Sequence, residues 1–591
     1  MIVTGPIGRE ARDFVECGPA PARPAGDPDR RPAVVVVGPF DHRGRVARRP
    51  RPDGGVTVSV FAEPDPNGGP PGGPTPAGEF AGEPAQAFLA ALRWAEHQCC
   101  RSVAGPAHGA AGSTDRDVAV IGAGIVNLVT AFYLTQAGYR LRIFDARPDP
   151  RRDLHWSSYG CSRAGDDARM FTLTEADDYH AKVPAEHFSV NGVFRRRVTA
   201  HGWNTLGRPL TEDEEAWVSD FERVPCWLAR IYNEDIFSFA RESHAAWRSL
   251  LRERWDLFQG VGYTPGILRL YTDAAQFDYS VSRHEALGAV RRVLAPDDVV
   301  RRHPGLATSD GIVGGLEVLG FTLNVHRFMA KLIDELEKAG ASFCWDSPVE
   351  SMERTSTGEV AGVRVGQELV SVSSYVVSTG AYGGPLLAGT RAAGQIHGVL
   401  GVWMRLPNLG PELRHSLKIA QRGHTAEDAN VTLCADDRGR PMLVVGSGYG
   451  YVGGNPSDAD PAELKKLYDA VEQTCRRFFP RAYKMAVEDG SLVASRRICV
   501  RPWTASNLGV FESMPTAKGG VALITGGHNT GGFAQAPSVA QAVLAALEGC
   551  RHRMHDLYRP DRLGIFLRPP DDGRRTIPLR ADPSRVASVA R

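Results

Sequence analysis

The most informative pattern of apolar and polar residues along the chain lies between residues 118 and 145. Four apolar residues in a row predict a buried strand, and Gly122–Gly124 follows it directly. Apolar residues then recur with the spacing of an amphipathic helix as far as Gly138, and a second apolar run ends at Asp145. This order predicts a strand, a helix and a second strand parallel to the first.

The turn at Gly122–Gly124 has the composition of a site for a dinucleotide pyrophosphate. Gly122 permits a tight turn, Gly124 lets the backbone approach the phosphates, and the start of the helix offers unpaired N–H groups. Asp145, 23 residues beyond Gly122, is placed to accept a hydrogen bond from a ribose hydroxyl. Asn127 stands where the G-x-G-x-x-G pattern has its third glycine, and we expect its side chain to hold the helix slightly off the strand. The complete context favours a dinucleotide site over an ordinary glycine-rich turn.

The same patterns predict further elements in the body of the chain, which runs from Asp117 to about Leu557. Helical spacing is found in Asp213–Phe221, Trp227–Tyr232, Phe237–Leu251, Val325–Ala339, Ala462–Arg477 and Ser538–Glu548. Strands are predicted at Ser342–Trp345, Val360–Val365, Tyr375–Ser378, Val399–Arg405 and Met442–Val445. We expect the last helix to begin near Ala536, with Pro537 in its first turn.

Length, charge and cysteine content narrow the class of protein. A chain of 591 residues is expected to hold two or more domains with large cores. Its 69 Lys and Arg against 68 Asp and Glu predict no basic face for nucleic acid. No apolar run approaches the roughly 20 residues needed to cross a bilayer, and the N-terminus lacks the apolar core of a secretory signal. Ten scattered cysteines without a C-x-x-C pair fit a reducing compartment, so we expect a cytoplasmic protein.

Both ends of the chain differ from its body. Residues 1–112 contain two tracts rich in Pro and Gly, strand-like runs at Ala33–Val37 and Val56–Phe61, and an amphipathic helix around Phe88–His97. We expect this region to be either a small module or a poorly ordered extension. Residues 558–591 belong to a stretch rich in Pro, Arg and Asp, and we expect them to form a mobile tail.

Four separated segments, taken in order, resemble the FAD-dependent oxidoreductases of the D-amino-acid oxidase, glycine oxidase and sarcosine oxidase family. They are the dinucleotide motif at 118–145, HPGL…GFTLNVHRFMAKLIDELEKAGASFCWDSPVESM at 303–352, YVVSTGAYGGPLL at 375–387, and CVRPWT…GGHNTGGFAQAP at 499–537. The resemblance implies an α/β fold in which a discontinuous Rossmann-like FAD-binding domain is interleaved with a mostly antiparallel α+β substrate domain. It assigns residues 113–176, 305–395 and 492–557 to the FAD-binding domain and residues 177–304 and 396–491 to the substrate domain.

The glycine-rich loop Gly526–Gly532 can be interpreted from its residues alone. Backbone N–H groups ahead of a helix lie at the positive end of its dipole, and they suit the anionic pyrimidine edge of a reduced flavin. The alternative is a purely structural loop. The resemblance implies FAD contacts at Gly122, Gly124, Ile125, Asp145, Ala146, Arg163, Val349, Gly380, Cys499, Gly527, His528, Asn529, Thr530 and Gly531.

The resemblance also implies roles for residues near the flavin ring. Arg501 matches the position that holds a substrate carboxylate in glycine oxidase-like members, and its planar fork suits both oxygens; the alternative is a structural arginine. Cys499 matches the cysteine that sarcosine oxidase-like members bond to the flavin 8α-methyl group; the alternative is a buried free thiol. Arg163 or Arg169, in a polar loop, is expected near the pyrimidine ring or the substrate.

A lysine over the flavin N5 position is missing from the matching stretch. Sarcosine oxidase-like members carry this lysine in a strand that corresponds to residues 444–454, where this chain has Tyr449 instead of a cation. The absence argues against rapid reaction with oxygen. Lys418 is the nearest candidate substitute, although its segment is predicted to be an earlier strand.

These observations predict an FAD-dependent enzyme that oxidises a C–N bond of an amine or amino acid. As the resemblance implies, hydride passes to flavin N5, the imine hydrolyses, and oxygen or another acceptor takes up the electrons. Two alternatives stay open: an FAD-dependent 2-hydroxy-acid or polyol dehydrogenase on the same fold, and a catalytically silent nucleotide-binding subunit. The sequence shows no metal site and no Ser/His/Asp triad.

Overall fold

The computed structural model describes residues 115–152, 169–175, 192–224, 226–436, 438–455 and 457–567, together with Arg93 and four strands near the N-terminus. These four strands pair antiparallel in chain order, and they are Val34–Val37, Gly44–Pro50, Val56–Ala62 and Gly78–Gly82. The two strand-like runs predicted in this region are among them. The predicted helix around residues 88–97 lies outside the described residues except for Arg93.

A six-stranded sheet, here called the parallel sheet, forms the first layer of the body. Its strands, in spatial order, are Ser342–Cys344, Arg140–Phe144, Asp117–Ile121, Ser374–Val377, Val521–Gly526 and Val510–Pro515. The first five are parallel, and only the last pair is antiparallel. The predicted strand, helix and strand unit is confirmed, since the helix Ile125–Gln136 connects two adjacent parallel strands.

Both faces of the parallel sheet are covered, which explains why its central strands Asp117–Ile121, Ser374–Val377 and Val521–Gly526 are mostly apolar. Val118 and Val120 share a core with the helices on one face, while Ala119 and Ile121 face a three-stranded sheet on the other. The helices are Ile125–Gln136, Cys226–Glu253, Val325–Lys338 and Gly532–Leu547. The small sheet consists of Ser351–Arg354, Val360–Val365 and Glu368–Val370.

A nine-stranded, mostly antiparallel sheet, here called the large sheet, forms the second layer. Eight strands follow in the order Arg497–Thr504, Ile396–Pro407, Pro441–Gly453, Ala429–Ala435, Ser416–Ala420, Thr264–Tyr271, Gly314–Thr322 and Met170–Thr172. The ninth, Val290–Leu294, also pairs with Gly314–Thr322. The fold class implied by the resemblance, a parallel sheet beside a mostly antiparallel one, is confirmed.

The two faces of the large sheet differ in chemistry. One face is apolar, and it packs on the helices Pro461–Phe478 and Pro480–Glu488. The other face carries polar and aromatic side chains on neighbouring strands. For example, Lys418 is paired with Arg269 on one neighbouring strand and with Asn430 on the other. Since side chains alternate across a strand, this second face is the one free to hold a polar ligand.

The remaining described helices are short or lie at the periphery. They are Glu212–Arg223, Trp255–Phe258, Ala274–Ala286, Pro296–Arg302, Ser491–Ala494, Arg553–Leu557 and Arg562–Leu567. None of the helices in the described ranges is long and apolar enough to cross a membrane.

Four predicted elements differ from the structure. The two helices expected at Trp227–Tyr232 and Phe237–Leu251 form one helix, because the polar residues between them are buried and bound: Asp235 accepts a 2.8 Å hydrogen bond from Arg562 Nη1. The last helix begins at Gly532 rather than near Ala536, so Pro537 lies inside it and not in its first turn. The strand predicted at Met442–Val445 continues to Gly453.

The sequence-based domain boundaries stay a prediction, but the sheet pairing bears on them. Gly314–Thr322 and Arg497–Thr504 belong to the large sheet, although both lie in segments assigned to the FAD-binding domain. Within the segment expected to form the tail, residues 558 and 560–563 are buried. Arg562 there is ion-paired with the buried Asp235, and such pairing lets a charged segment leave water.

Candidate functional site

A cavity lies between the carboxyl ends of the parallel strands and the polar face of the large sheet. Its total empty volume is about 810 Å³, and carboxyl ends of parallel strands are where such folds bind ligands. Seven of the residues predicted for the site line it, namely Gly124, Ile125, Gly380, Arg501, His528, Asn529 and Thr530. The structure therefore brings together segments that are up to about 400 residues apart in the sequence.

The glycine turn at the start of the first helix is fixed by close backbone contacts. Gly122 has a φ of +94°, and a Cβ added there would lie 2.5 Å from the Ser378 carbonyl oxygen, so only glycine fits. Gly124 precedes the helix, and an added Cβ would meet no atom within 4 Å. The backbone at Gly124 therefore faces open space beside the unpaired N–H groups of the helix start.

Asn127 has a structural role that the sequence analysis missed. Its Nδ2 donates to the carbonyl oxygens of Ile121 at 2.9 Å and Gly122 at 2.7 Å, and the residue is buried. The amide links the helix to the strand end and to the turn, through bonds that a third glycine could not make. The expected displacement of the helix from the strand stays a prediction.

Asp145 lies at the end of the second strand and holds the turn from the other side. Its Oδ2 accepts from the N–H of Ala123 at 2.7 Å, and its Oδ1 accepts from the N–H of Arg147 at 2.8 Å. Burial raises the pKa of this carboxyl, while the two backbone donors act in the opposite direction. Asp145 does not line the cavity itself, and neither does its neighbour Ala146, so their contacts with a ribose stay a prediction.

The loop from Gly526 to Gly532 is held rigidly under the cavity. Asn529 has a φ of +53°, its N–H donates to Pro502 at 2.9 Å, and its Oδ1 accepts from the N–H of Thr504 at 3.1 Å. Gly527 also has a positive φ, and a Cβ there would lie 2.5 Å from Thr504 Cγ2. The loop therefore needs its glycine at position 527.

The helix after this loop presents free donors to the cavity. Its first backbone hydrogen bond runs from Gln535 to Gly531 at 2.9 Å, so the preceding N–H groups have no partner inside the helix. Thr530 and Gly532 line the cavity at this point, while Gly531 is used in a turn, donating to the His528 carbonyl at 2.8 Å. A helix N-terminus of this kind attracts negative charge.

The imidazole of His528 is buried in an environment that disfavours its charged form. Burial lowers the pKa of His528 to about 4, so the ring is neutral at physiological pH. Its ring centroid lies 6.0 Å from that of Tyr558, and a side chain at Gly509 would overlap its Nδ1. His528 thus contributes packing, and its neutral state places no positive charge of its own beneath the cavity.

Arg501 lies on the large sheet, is buried, and lines the cavity. Its Nη1 donates to the Gly448 carbonyl at 2.7 Å, and its guanidinium carbon lies 5.4 Å from the centroid of the Tyr449 ring. Trp203 stacks on Tyr449 at a centroid distance of 4.6 Å, which fixes that ring in turn. A Cβ at Gly401 would overlap Arg501 Nη2, so the guanidinium occupies space that only a glycine leaves open.

Cys499 and Arg169 lie away from the lining of the cavity. The Sγ of Cys499 accepts a hydrogen bond from Trp403 Nε1 at 2.9 Å and is packed with Val444. The guanidinium carbon of Arg169 lies 4.1 Å from the Trp403 ring centroid, an arrangement typical of a cation–π contact. Cys499 and Arg169 thus contact the same indole, and the covalent role predicted for Cys499 stays a prediction.

Two further residues were predicted for the FAD site, Val349 and Arg163. Val349 is half-buried against the core between the parallel sheet and the three-stranded sheet, and it does not line the cavity. Arg163 lies outside the described residues.

Several lining residues were not predicted from the sequence. The large sheet and the turn that follows its edge strand contribute Met170, Glu175 and Asn430. Glu175 is ion-paired with Lys418, whose Nζ lies 2.8 Å from Glu175 Oε1. No local signal marks this pair, because the two residues are 243 positions apart; only the placement of Lys418 on a strand was foreseen, and it is confirmed.

Comparison with known proteins agrees with this geometry. A family model described as FAD dependent oxidoreductase matches residues 117–547 of the chain. The chain belongs to this family. A D-amino acid dehydrogenase from Xanthobacter autotrophicus strain Py2 is 26% identical over 310 residues, which make up 50% of this chain and 68% of the relative.

Solved structures of this fold are similar to about three quarters of the chain. Glycine oxidase from Bacillus cereus superposes with a TM-score of 0.50 at 16% identity and covers 74% of this chain and 97% of its own. Fructosyl amine:oxygen oxidoreductase (Amadoriase I) from Aspergillus fumigatus gives a TM-score of 0.51 at 18% identity, covering 77% and 91%. At such identities the likeness establishes the fold, and the family model establishes FAD as the cofactor.

The residues present fit FAD. Added Cβ atoms at Gly124 and Gly380 would meet no atom within 4 Å, so the backbone at both positions leaves room along the cavity. Two helix N-termini, at Ile125 and at Gly532, direct N–H groups towards it, which suits a pyrophosphate at one end and an anionic ring edge at the other. Gly124 would approach the phosphates, and Thr530 would lie beside the ring.

Proposed function

We propose that this FAD-dependent oxidoreductase oxidises a C–N bond of an amino acid. The observation that carries the proposal is the position of Arg501, a buried cation in the same cavity as the glycine loop before Phe533. A planar guanidinium can pair with both oxygens of a carboxylate and so fix a substrate in one orientation. The similarity to a protein named D-amino acid dehydrogenase supports an amino compound as that substrate.

The chemistry of the reaction comes from the cofactor, and the protein supplies position and electrostatics. When bound in this cavity, FAD would supply the hydride acceptor for the carbon next to the nitrogen, and the imine product would hydrolyse in water. Arg501 holds the carboxylate, and Tyr449 and Gly401 keep the guanidinium in place. Because His528 is neutral, backbone N–H groups would supply the positive charge next to the flavin ring.

The experiment that tests the proposal is anaerobic reduction of the purified flavoprotein by a panel of candidate substrates. D- and L-amino acids, N-methyl amino acids, amines without a carboxylate, 2-hydroxy acids and polyols are compared by loss of the oxidised flavin absorbance. We expect amino acids to reduce the flavin and hydroxy acids to leave it oxidised. Readmission of air, compared with an added quinone, then distinguishes oxygen from another electron acceptor.

The matched variant is Arg501→Lys, which keeps the charge and loses the two-pronged geometry. We expect the KM for amino acids to rise at least about tenfold, while the KM for amines without a carboxylate stays within about twofold. Reduction by hydroxy acids alone would support the hydroxy-acid dehydrogenase alternative. A protein that binds FAD but is reduced by no member of the panel would support the silent subunit.

A further inference from the structure

The cavity contains a second charged group that the proposed function does not use. Glu175 is 6% exposed, lines the cavity, and accepts from Lys418 Nζ at 2.8 Å through Oε1 and from Thr172 Oγ1 at 3.0 Å through Oε2. Lys418 is 8% exposed and does not line the cavity. The carboxylate therefore stands between the lysine and the space in which a ligand would lie.

The local fold explains why Glu175 is directed inwards. The edge strand Met170–Thr172 ends in a turn closed by the Glu175 N–H, which donates to the Thr172 carbonyl at 3.3 Å. This turn brings Glu175 above the polar face of the large sheet, where Lys418 lies opposite Asn430 on the next strand. Asn430 lines the same cavity, so the polar row of the sheet and the turn meet at the ligand space.

A buried ion pair is not retained for stability alone. Removing two charges from water costs several kcal/mol per ion, and an apolar pair of similar volume is often as stable or more stable. A carboxylate has about four acceptor positions, and Lys418 and Thr172 use one on each oxygen. Glu175 can therefore accept from a ligand while it remains fixed by both partners.

We propose that Glu175 is a binding residue for the ammonium group of an α-amino acid whose carboxylate is held by Arg501. Arg501 lies on the strand Arg497–Thr504 of the large sheet, and Glu175 lies in the turn after the edge strand Met170–Thr172. The two side chains carry opposite charges and line the same cavity. A zwitterion satisfies both, whereas a simple amine or a simple carboxylic acid satisfies one. The inference rests on the proposed function and narrows its substrate class from amino acids in general to α-amino acids, including N-alkylated ones.

The test uses two carboxylates of the same shape that differ by one charge. Glycine betaine carries a quaternary nitrogen, and 3,3-dimethylbutyrate has a carbon atom in its place; neither has an amine lone pair, so neither is oxidised as an amine. Binding of each to the FAD-loaded full-length protein is measured by isothermal titration calorimetry. We expect the wild type to bind the betaine at least about fivefold more tightly, through the attraction of one partly buried charge.

Variants separate the two ends of the ligand. Glu175→Gln should reduce the preference for betaine to less than about twofold, while Arg501→Lys should weaken both probes and keep the preference. Because Glu175→Gln leaves Lys418 buried without its partner, the double variant Glu175→Gln/Lys418→Met serves as the folded alternative. Thermal unfolding and FAD content are measured for each variant.

The outcomes are decisive in either direction. A wild type that shows no preference for betaine, or a double variant that keeps the full preference, overturns the role of Glu175. Failure of the proposed function is recognised separately, because it would show as absence of flavin reduction by amino acids in the anaerobic panel. Calorimetry does not depend on turnover.

Discussion

Replacing Asn127 by glycine restores the full G-x-G-x-x-G pattern, and we expect it to decrease the stability of the protein rather than increase it. In the usual pattern the third glycine allows close packing of helix and strand. Here the amide of Asn127 donates to the carbonyl oxygens of Ile121 and Gly122, which lie at the strand end and in the turn. Glycine would remove both bonds from a buried position.

The expected loss can be estimated from these two bonds. Each net hydrogen bond contributes about 0.5–1.5 kcal/mol. The Ile121 oxygen also accepts from the N–H of Ser378 at 3.0 Å, so it keeps one partner in the variant. Glycine in a helix costs roughly 0.3 kcal/mol more than asparagine. The sum is a decrease in the free energy of unfolding of about 1.5–3 kcal/mol.

The assay is urea-induced unfolding of the apoprotein, together with the Kd for FAD. Asn127→Ala is the matched control, because it removes the same hydrogen bonds without the backbone freedom of glycine. We expect Asn127→Ala to be destabilised too, but about 1 kcal/mol less than Asn127→Gly, which is the difference in helix propensity. An Asn127→Gly protein as stable as the wild type would refute the assignment of these bonds.

Three further outcomes are expected. Gly401→Ala should displace the guanidinium of Arg501 and raise the KM for amino acids at least about tenfold without loss of FAD, whereas Gly454→Ala, with no atom within 4 Å of the added Cβ, should not. The pKa of His528 is about 4 in the folded protein and near 6.5 in the unfolded chain, so the unfolded chain takes up this proton first as the pH falls. The free energy of unfolding should therefore decrease by about 3 kcal/mol between pH 6.5 and 4. Urea titrations of His528→Asn should lack this decrease. If Cys499 bonds to the flavin, acid-precipitated wild type should retain its yellow colour and Cys499→Ser should release it, and a colourless wild-type precipitate would leave Cys499 as a packed thiol.

Short-range patterns in the sequence predicted the cofactor half of the fold well. The first strand, helix and strand were placed to within one or two residues, because apolar period and glycine punctuation are local signals. The interruption in the helix Cys226–Glu253 was misjudged for the opposite reason. Asp235 looks like a break in an apolar pattern, and its ion pairs with Arg562, 327 residues away, and with Arg93 let it occupy a buried position.

The substrate side of the cavity was harder to predict for the same reason. Arg501 was found through a motif, but the Lys418–Glu175 pair has no motif and depends on strand pairing across the large sheet. Likewise, the sequence showed that Asn127 replaces the third glycine of the G-x-G-x-x-G pattern. The hydrogen bonds that its side chain makes could be assigned only from the positions of two carbonyl oxygens. Local chemistry marks which residues can act, and long-range pairing decides which of them meet.

The strand order of the parallel sheet has a consequence for synthesis of the protein. The strand Asp117–Ile121 lies between Arg140–Phe144 and Ser374–Val377, and Val521–Gly526 joins only beyond the latter. At roughly 5–20 residues per second, a ribosome needs on the order of 20–75 s to pass from the second strand to the last of these. Until Val521–Gly526 is made, the parallel sheet lacks its fifth parallel strand and the Gly526–Gly532 loop that follows it. We therefore expect FAD to be retained only after this strand has been synthesised, and a nascent chain stalled before residue 521 should not hold the cofactor.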